Sequence, residues 1–371
     1  MPRTVAKRLG SLAADQGLDA IVLSSPENVT YGLGLVVPTQ SLMRWRHAAV
    51  VFGVDGRCAA VAVDMEVATL RERRPDLYVW SWAEFTGNAM VTLAALLDDM
   101  GLGAARVGVE LNYLPAADFA ELERLLPRAS FVAVDSSVAR ERQIKTPDEV
   151  ALLERLSRIA DRAIATSFAE VAPGDTEMDL AAVLTRSVFE QGADQFKLMI
   201  VAAGERSCLP NVGPTDRKLL SGDVCRVEIF PVIDGYHAGV CRTAVVGEPP
   251  PFAQEIYDNL VACRHLVLGA LAPGAKARVV YELFRTRFDQ LGLPPISFVG
   301  HGIGVDLHEE PYLASFSDAV LEAGMVLGIE PLVYQTGHGF GMQIKDMVAI
   351  TESGCQLLSD VSDVDTLTRI A

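Results

Sequence analysis

The first third of the chain alternates short apolar runs with segments whose apolar residues recur at a helical period. The runs are rich in valine and alanine and predict strands at residues 20–24, 47–52, 58–63, 106–110 and 131–134. Helices are predicted over the amphipathic N-terminus and at residues 89–100 and 116–126, with a turn at residues 26–28. This alternation predicts a small α/β domain with a largely parallel sheet.

A polar segment at residues 135–147 predicts a domain boundary. Pro147 follows Thr146, and two acidic residues come directly after it, as at the start of a helix. We therefore predict one domain over residues 1–138 and a second over residues 145–371.

The second domain shows a different pattern of apolar positions. Helices are predicted at residues 148–171, 176–191, 251–271 and 277–291, and strands at residues 197–203, 223–233, 241–246, 325–334 and 346–351. Helices laid against a mixed, mostly antiparallel sheet indicate an α+β domain.

Composition narrows the classes of function. A net charge of −16 disfavours nucleic acid and anionic membranes as partners, and no segment has the roughly 20 apolar residues that span a bilayer. The six cysteines are scattered, which suits a reducing compartment, and the N-terminus lacks the features of a signal peptide. We expect a cytoplasmic protein that acts on a small molecule.

The most prominent candidate for chemistry is FVGHGIGVDLHEE at residues 298–310. It contains His301 and His308 between glycines and acidic residues, and an imidazole in such a place can ligate a metal or transfer a proton. A turn with hydrogen-bonded histidines would explain the same pattern.

Other motifs place these histidines in a recognisable order. They are Asn28-Val29-Thr30-Tyr31, Ile144 to Val150 (IKTPDEV), Pro214 to Lys218 (PTDRK), Asp234-Gly235-Tyr236, Arg242-Thr243, Gly300 to Gly304 (GHGIG), His308-Glu309 and Gly328 to Pro331 (GIEP). This ordered set resembles the creatinase/prolidase/methionine-aminopeptidase superfamily over nearly the whole chain. The resemblance implies a creatinase-like N-terminal α/β domain and a C-terminal α+β domain of the pita-bread fold.

In the metal-dependent peptidases of that superfamily, two aspartates, one histidine and two glutamates hold two divalent ions. The corresponding positions here are Glu228, Gly239, His301, Glu330 and Lys345. Glycine and a lysine ammonium cannot ligate a metal. We therefore predict no dinuclear centre, no metal and no other cofactor. A single ion on Glu228, His301 and Glu330 is the alternative.

The resemblance also implies histidines around the scissile bond of the peptidases. Asn211 and Ser297 stand at two of those positions, and only His308 is kept. These departures predict that the chain is not a working proline-specific aminopeptidase. They lie in the direction of creatinase, a relative without metal that hydrolyses a C–N bond in a small molecule.

The remaining groups predict the roles in such a site. His301 or His308 would be the acid or base, Glu330 would orient an imidazole or act as base, and Lys345 would stabilise an oxyanion or pair with Glu330 or Glu228. Substrate contacts are predicted for Asn211, for His237, which could instead be a surface histidine, and for Arg46. By resemblance, Arg46 would reach the partner subunit's site in a homodimer, and a solvated arginine is the alternative.

These inferences predict a metal-independent enzyme that hydrolyses an amide, amidine or ureide-like C–N bond in a small carboxylate-bearing substrate. The alternatives are a non-hydrolytic enzyme with elimination or group-transfer chemistry, a silent binding protein, or a mononuclear Xaa-Pro peptidase.

Overall fold

The computed structural model describes residues 2–371, which fold as two units. The first unit ends at Arg142 and the second begins at Gln143. Among the described residues, no helix combines the length and apolar character needed to cross a membrane.

The first unit contains one six-stranded sheet. Its strands are Ala20–Leu23 (β1), Ala49–Gly53 (β2), Cys58–Val63 (β3), Tyr78–Trp82 (β4), Arg106–Val109 (β5) and Ser130–Ala133 (β6). Its helices are Pro2–Asp15 (α1), Pro26–Leu33 (α2), Pro38–Leu42 (α3), Val67–Arg73 (α4), Ala89–Asp99 (α5), Ala116–Leu125 (α6) and Asp135–Gln143 (α7), with a 3₁₀ turn at Asp64–Glu66. The order is β4-β3-β2-β1-β5-β6. Only the two pairs formed by β2 are antiparallel, so the sheet is largely parallel as predicted.

The predicted turn at residues 26–28 was wrong, because these residues begin α2. The Ser25 hydroxyl accepts a hydrogen bond from the Asn28 amide, and Pro26 occupies the first helical turn, where its missing N–H costs nothing. The polar segment predicted as a boundary also contains α7.

The second unit has two main sheets and four helices. The helices are Pro147–Glu170 (α8), Glu177–Glu190 (α9), Ala253–Ala270 (α10) and Ala277–Gln290 (α11), with a 3₁₀ turn at Gly204–Cys208. The strands are Gln195–Ala203 (β7), Val224–Ile233 (β8), Tyr236–His237 (β9), Val240–Val246 (β10), Phe298–Gly302 (β11), Glu309–Ala314 (β12), Val326–Ile329 (β13), Leu332–Val333 (β14), Met342–Gln343 (β15), Asp346–Thr351 (β16), Gly354–Leu357 (β17) and Thr368–Ile370 (β18).

One main sheet has the order β18-β10-β8-β7, with β9 beside β8, and the other has the order β12-β11-β13-β16-β17. Strands β14 and β15 form a separate pair. Every pair is antiparallel except that of β10 with β18. Buried side chains of α10 and α11, including Phe284 and Phe288, form a core with Leu327 and Val348 of the second sheet.

Helix α8 starts where the sequence predicts, because Thr146 and Glu149 form a reciprocal cap. The Thr146 hydroxyl accepts from the Glu149 amide, and the Glu149 carboxylate accepts from the Thr146 amide at 2.8 Å. The other oxygen of Glu149 accepts from the Tyr236 hydroxyl at 2.8 Å, which ties the start of α8 to β9.

Strands β11 and β12 were not predicted, since residues 298–310 lack an apolar alternation. Their glycines make the close pairing possible. A Cβ atom on Gly300 would lie 2.7 Å from the carbonyl oxygen of Gly328, and one on Gly302 would lie 2.4 Å from that of Glu310. Both positions therefore require glycine, and His301 between them is held in the middle of the sheet.

Candidate active site

A cavity of about 530 Å³ in the second unit contains most of the candidate residues. Its polar wall is formed by Asn211, Glu228, His308, Glu330, Tyr334, Gln343 and Lys345. The rest of the lining is mostly apolar and includes Leu198, Ile200, Phe230, Ile296, Phe298 and Leu332. This combination is typical of a pocket that orients a small ligand by a few polar groups.

Backbone pairing with β10 positions Lys345, which directly precedes β16. Cys241 and Lys345 exchange hydrogen bonds, with N–O distances of 3.2 and 3.0 Å, and Cys241 is paired with Glu228 across β10 and β8. Gly328 leaves space for the lysine stem, because a Cβ there would lie 3.2 Å from Cε of Lys345. The lysine therefore reaches the centre of the polar wall.

The Lys345 ammonium is buried among three acceptors. Its Nζ lies 3.3 Å from Oε1 of Glu228, 3.1 Å from Oε2 of Glu330 and 3.2 Å from Nε2 of His301. Burial alone would lower the pKa of Lys345, but the two carboxylates outweigh it and raise that pKa above its ordinary value. Lys345 is therefore a fixed cation at neutral pH.

The two carboxyl groups beside Lys345 shift in opposite directions. Burial would raise the pKa of Glu330, but Lys345 and His301 together outweigh it and hold that pKa at about 2. Burial raises the pKa of Glu228. The Lys345 ammonium offsets this rise only in part, and the negative charge of Glu330 adds to it. Glu330 is therefore the permanent anion of the pair.

His301 is fully buried, and one hydrogen bond fixes its tautomer. Its Nδ1 lies 2.7 Å from the carbonyl oxygen of Gly302, which can only accept, so Nδ1 carries the proton. In the neutral ring Nε2 is then the acceptor, and it lies 3.2 Å from Nζ of Lys345 and 3.4 Å from Oε1 of Glu330. An imidazole anchored in this way is prepared to accept a hydrogen bond or to ligate a metal.

His308 stacks on His301, with ring centroids 3.6 Å apart and planes 12° from parallel. The ring is exposed to the cavity. Burial of part of its surface, with His301 and Lys345 nearby, lowers the pKa of His308 to about 4. The imidazole is therefore neutral at pH 7, in the form that ligates metals.

Sequence reasoning missed Gln343 and Arg226, which support Glu330 from behind. Gln343 donates to Oε2 of Glu330 at 3.1 Å and accepts from Nη1 of the fully buried Arg226 at 2.9 Å. Arg226 also lies 4.9 Å from the centre of the Tyr334 ring and donates to the carbonyl of Pro210 at 3.0 Å. The sequence did contain a signal for Arg226, because it is two residues from Glu228 in β8 and the two side chains therefore point to the same face.

The predicted substrate residues outside the polar centre have mixed outcomes. Asn211 lines the cavity. His237 does not; its buried ring lies 3.2 Å from the carbonyl of Gly304, and burial lowers its pKa. Arg46 belongs to the first unit and donates to Glu84 at 2.7 Å, so its guanidinium already has a carboxylate partner.

The described side chains fit one divalent ion. His301, His308 and Glu330 offer ligand atoms within 4.8 Å of one another. Oε1 of Glu330 is buried without a hydrogen-bond partner in the described part of the chain, and it faces the accepting Nε2 of His301. Two acceptors that face each other need a cation or a proton between them. The alternative ion site on Glu228, His301 and Glu330 is less suitable, since Glu228 is not among the side chains whose ligand atoms come that close together in the described part of the chain.

The same side chains do not fit two ions. A Cβ atom on Gly239 would lie 2.2 Å from Cε1 of Phe230, so the Phe230 ring fills the space of any ligand there. The ammonium of Lys345 lies 4.8 Å from the centre of that ring. An aromatic ring and a cation thus occupy the part of the site where further ligands would stand.

Known proteins resemble this chain over two thirds of its length or more. A protein of Mycobacterium tuberculosis named "Probable dipeptidase PepE" is 30% identical over 94% of this chain and 92% of its own length. The Xaa-Pro dipeptidase of Pyrococcus furiosus is 30% identical over 68% of this chain and 73% of its own length. The crystal structure of dipeptidase PepE from Mycobacterium ulcerans has 26% identity and a TM-score of 0.83, covering 100% of this chain and 99% of that one.

These relatives correct the functional prediction. Their names are those of dipeptidases, whereas the sequence argument predicted a metal-independent, creatinase-like hydrolase of non-peptide C–N bonds without peptidase activity. That prediction was wrong, because it inferred a different class of reaction from the missing metal ligands alone. The fold class was predicted correctly.

Profiles of two families account for most of the sequence. The Creatinase/Prolidase N-terminal domain matches residues 6–144, and Metallopeptidase family M24 matches residues 151–352. The chain therefore belongs to metallopeptidase family M24, with a creatinase/prolidase N-terminal domain.

Proposed function

We propose that this chain is a dipeptidase that hydrolyses the amide bond of a dipeptide or similarly short peptide, with one divalent ion on His301, His308 and Glu330. The observation that carries the proposal is the pair of facing acceptors, Nε2 of His301 and Oε1 of Glu330, 3.4 Å apart beside a cavity of about 530 Å³. That volume lies in the usual range for small-ligand pockets. The dipeptidase relatives support the reaction class.

The ion, when bound, supplies Lewis-acid polarisation of the reacting groups. The chain supplies the rest. Lys345 stabilises the carbonyl oxygen electrostatically as that oxygen gains negative charge, because its ammonium is held at the polar wall by Glu228, Glu330 and His301. Gln343 holds Glu330 in place by its hydrogen bond at 3.1 Å.

Proton transfer falls to Glu228. Two carboxyl groups line the cavity, and Glu330 is committed to the ion. Glu228 would take a proton from the attacking water and deliver it to the leaving nitrogen as the C–N bond breaks. The products are one free carboxylate and one free amine.

The apolar lining supports a preference for apolar side chains. Leu198, Ile200 and Phe298 are among the apolar residues that line the cavity. A panel of Xaa-Pro and non-proline dipeptides with apolar residues therefore covers the relevant substrates.

We also propose a cytoplasmic location and a homodimer. All six cysteines are free thiols, which supports a reducing compartment. The homodimer rests on the resemblance alone, and light scattering on the purified protein tests it.

The test of the activity uses the full chain loaded with Mn²⁺ or Co²⁺ and incubated with the dipeptide panel. Mass spectrometry should detect free amino acids, and His301→Ala should lower the rate at least about 100-fold, since it removes an ion ligand. His265→Ala is the matched control, because His265 is a solvent-exposed histidine that pairs with Asp365. Absence of hydrolysis across the panel with both ions, in protein that remains folded, would overturn the proposal.

A further inference from the structure

We infer that Lys345 is a built-in cation that takes the place of a second metal ion, so that the site binds one exchangeable ion and no more. The inference deepens the proposed function and rests on its ion site. Its measurements are of ion binding, so they do not depend on whether peptides are hydrolysed.

Three acceptor groups surround Nζ of Lys345. Glu228, Glu330 and His301 place three acceptor atoms between 3.1 and 3.3 Å from the ammonium. Two carboxylates and an imidazole are also what a divalent ion would take as ligands. Lys345 therefore uses the same donor set that would attract a metal.

Packing keeps the position of the Lys345 ammonium closed to a metal ion. The Phe230 ring occupies the position of any side chain on residue 239, with a Cβ-to-Cε1 separation of 2.2 Å, and its centre lies 4.8 Å from Nζ of Lys345. An aromatic face stabilises a nearby ammonium and offers a metal ion no lone pair in the ring plane. Phe230 and Gly239 thus work together to favour lysine here.

The two carboxylate oxygens of Glu330 are available to two different cations. Its Oε2 accepts from Lys345 and Gln343, while Oε1 has no hydrogen-bond partner within residues 2–371. One oxygen is committed to the fixed cation and the other remains for an exchangeable ion. An ion on Oε1 would compete with Lys345 for Nε2 of His301, which both can use.

The competition predicts the effect of removing the lysine. Lys345→Met removes a positive charge beside the ion and releases Nε2 of His301, so Mn²⁺ should bind at least tenfold more tightly. Lys345→Gln is a second variant for the case that Lys345→Met does not fold. It also removes the positive charge, but its amide can still donate to the carboxylates. Lys276→Met is the control, since Lys276 is an exposed lysine of the same unit.

The experiment is calorimetric titration of Mn²⁺ into metal-stripped protein, with native mass spectrometry to count ions per chain. The wild type should bind one ion. The triple variant Phe230→Ala, Gly239→Asp, Lys345→Glu should bind two, because it replaces the ring and the cation by carboxylates.

Two ions in the wild type, or unchanged affinity in folded Lys345 variants, would overturn the inference. The wild type could also bind no ion while Lys345→Gln binds one. That result would overturn the ion site of the proposed function, yet it would support Lys345 as the group that occupies an ion's position. The failures of the two proposals are therefore distinguishable.

Discussion

The imidazoles of His301 and His308 lie face to face, with ring centroids 3.6 Å apart. Ligand atoms of both histidines and of Glu330 lie within 4.8 Å of one another, and the proposed function makes both histidines ligands of one ion. We expect His308→Ala to weaken Mn²⁺ binding about tenfold or more, as calorimetry would show. His338→Ala, at an exposed histidine, should leave the affinity unchanged. Equal affinities in the two variants would remove His308 from the ligand set.

Glu228→Gln should separate proton transfer from ion binding. The amide keeps the shape of the side chain but cannot carry the proton, so we expect kcat to fall about 100-fold or more. The affinity for Mn²⁺ should change by less than about threefold, since Glu228 contacts Lys345 and is outside the ion's ligand set. A kcat close to that of the wild type would exclude Glu228 as the proton carrier.

Gln343→Leu should damage both stability and activity. It leaves Nη1 of Arg226 without its hydrogen bond and removes one of the two donors to Oε2 of Glu330, and we expect a loss of about 1–3 kcal/mol in the free energy of unfolding. Gln343→Glu keeps an acceptor for Arg226 and loses the donor to Glu330. Urea denaturation should show that this second variant is the more stable, while its kcat is also reduced.

Gly239→Ala tests the position of the Phe230 ring. The added methyl would meet the ring at 2.2 Å, so we expect destabilisation of about 1–3 kcal/mol from overpacking. Adding Phe230→Leu should recover part of this loss. A double-mutant cycle from urea denaturation measures the coupling, and strictly additive effects would contradict the predicted contact.

Asp346→Asn should reduce stability in a pH-dependent way. Asp346 is fully buried and pairs with Arg242 at 2.9 Å, while Ser359 donates to it at 2.7 Å. Breaking such a buried ion pair costs about 3–5 kcal/mol.

The pH dependence follows from the pKa of Asp346. Burial alone would raise it, but Arg242 and Arg264 outweigh burial and hold it below the ordinary value of 3.8. The contribution of the carboxylate is therefore complete above that value and is lost as pH falls toward the folded-state pKa. Unfolding free energies of wild type and Asp346→Asn should converge at acid pH, and a gap independent of pH would contradict this account.

The elements with a clear period were predictable. Helix α8 was placed correctly because Thr146, Pro147 and Glu149 give a local signal for a helix start. Strand β16 was predicted with its observed limits, since its run of apolar residues is buried. Strands β11 and β12 were not, because their pairing depends on glycines that fit against backbone atoms distant in sequence.

The site was predictable only in part. His301, Glu228, Glu330 and Lys345 were named from the order of motifs, and the structure brings all four together. The Phe230 ring over Gly239 could not be foreseen, because it requires a side-chain position that no sequence period encodes. The reaction class failed for a different reason, since missing ligands reduce the number of ions without specifying which bond is cleaved.

The covalent attachment of Lys345 has a consequence for how the protein responds to chelators. Two carboxylates about 4 Å apart repel by roughly 4 kcal/mol at an effective dielectric near 20, so a cluster held together by metal ions alone loosens when the ions are removed. Here the ammonium lies within 3.3 Å of both Glu228 and Glu330 and cannot be extracted. Treatment with EDTA should therefore remove activity while the walls of the cavity keep their shape, and the empty enzyme should be restored simply by adding the ion back.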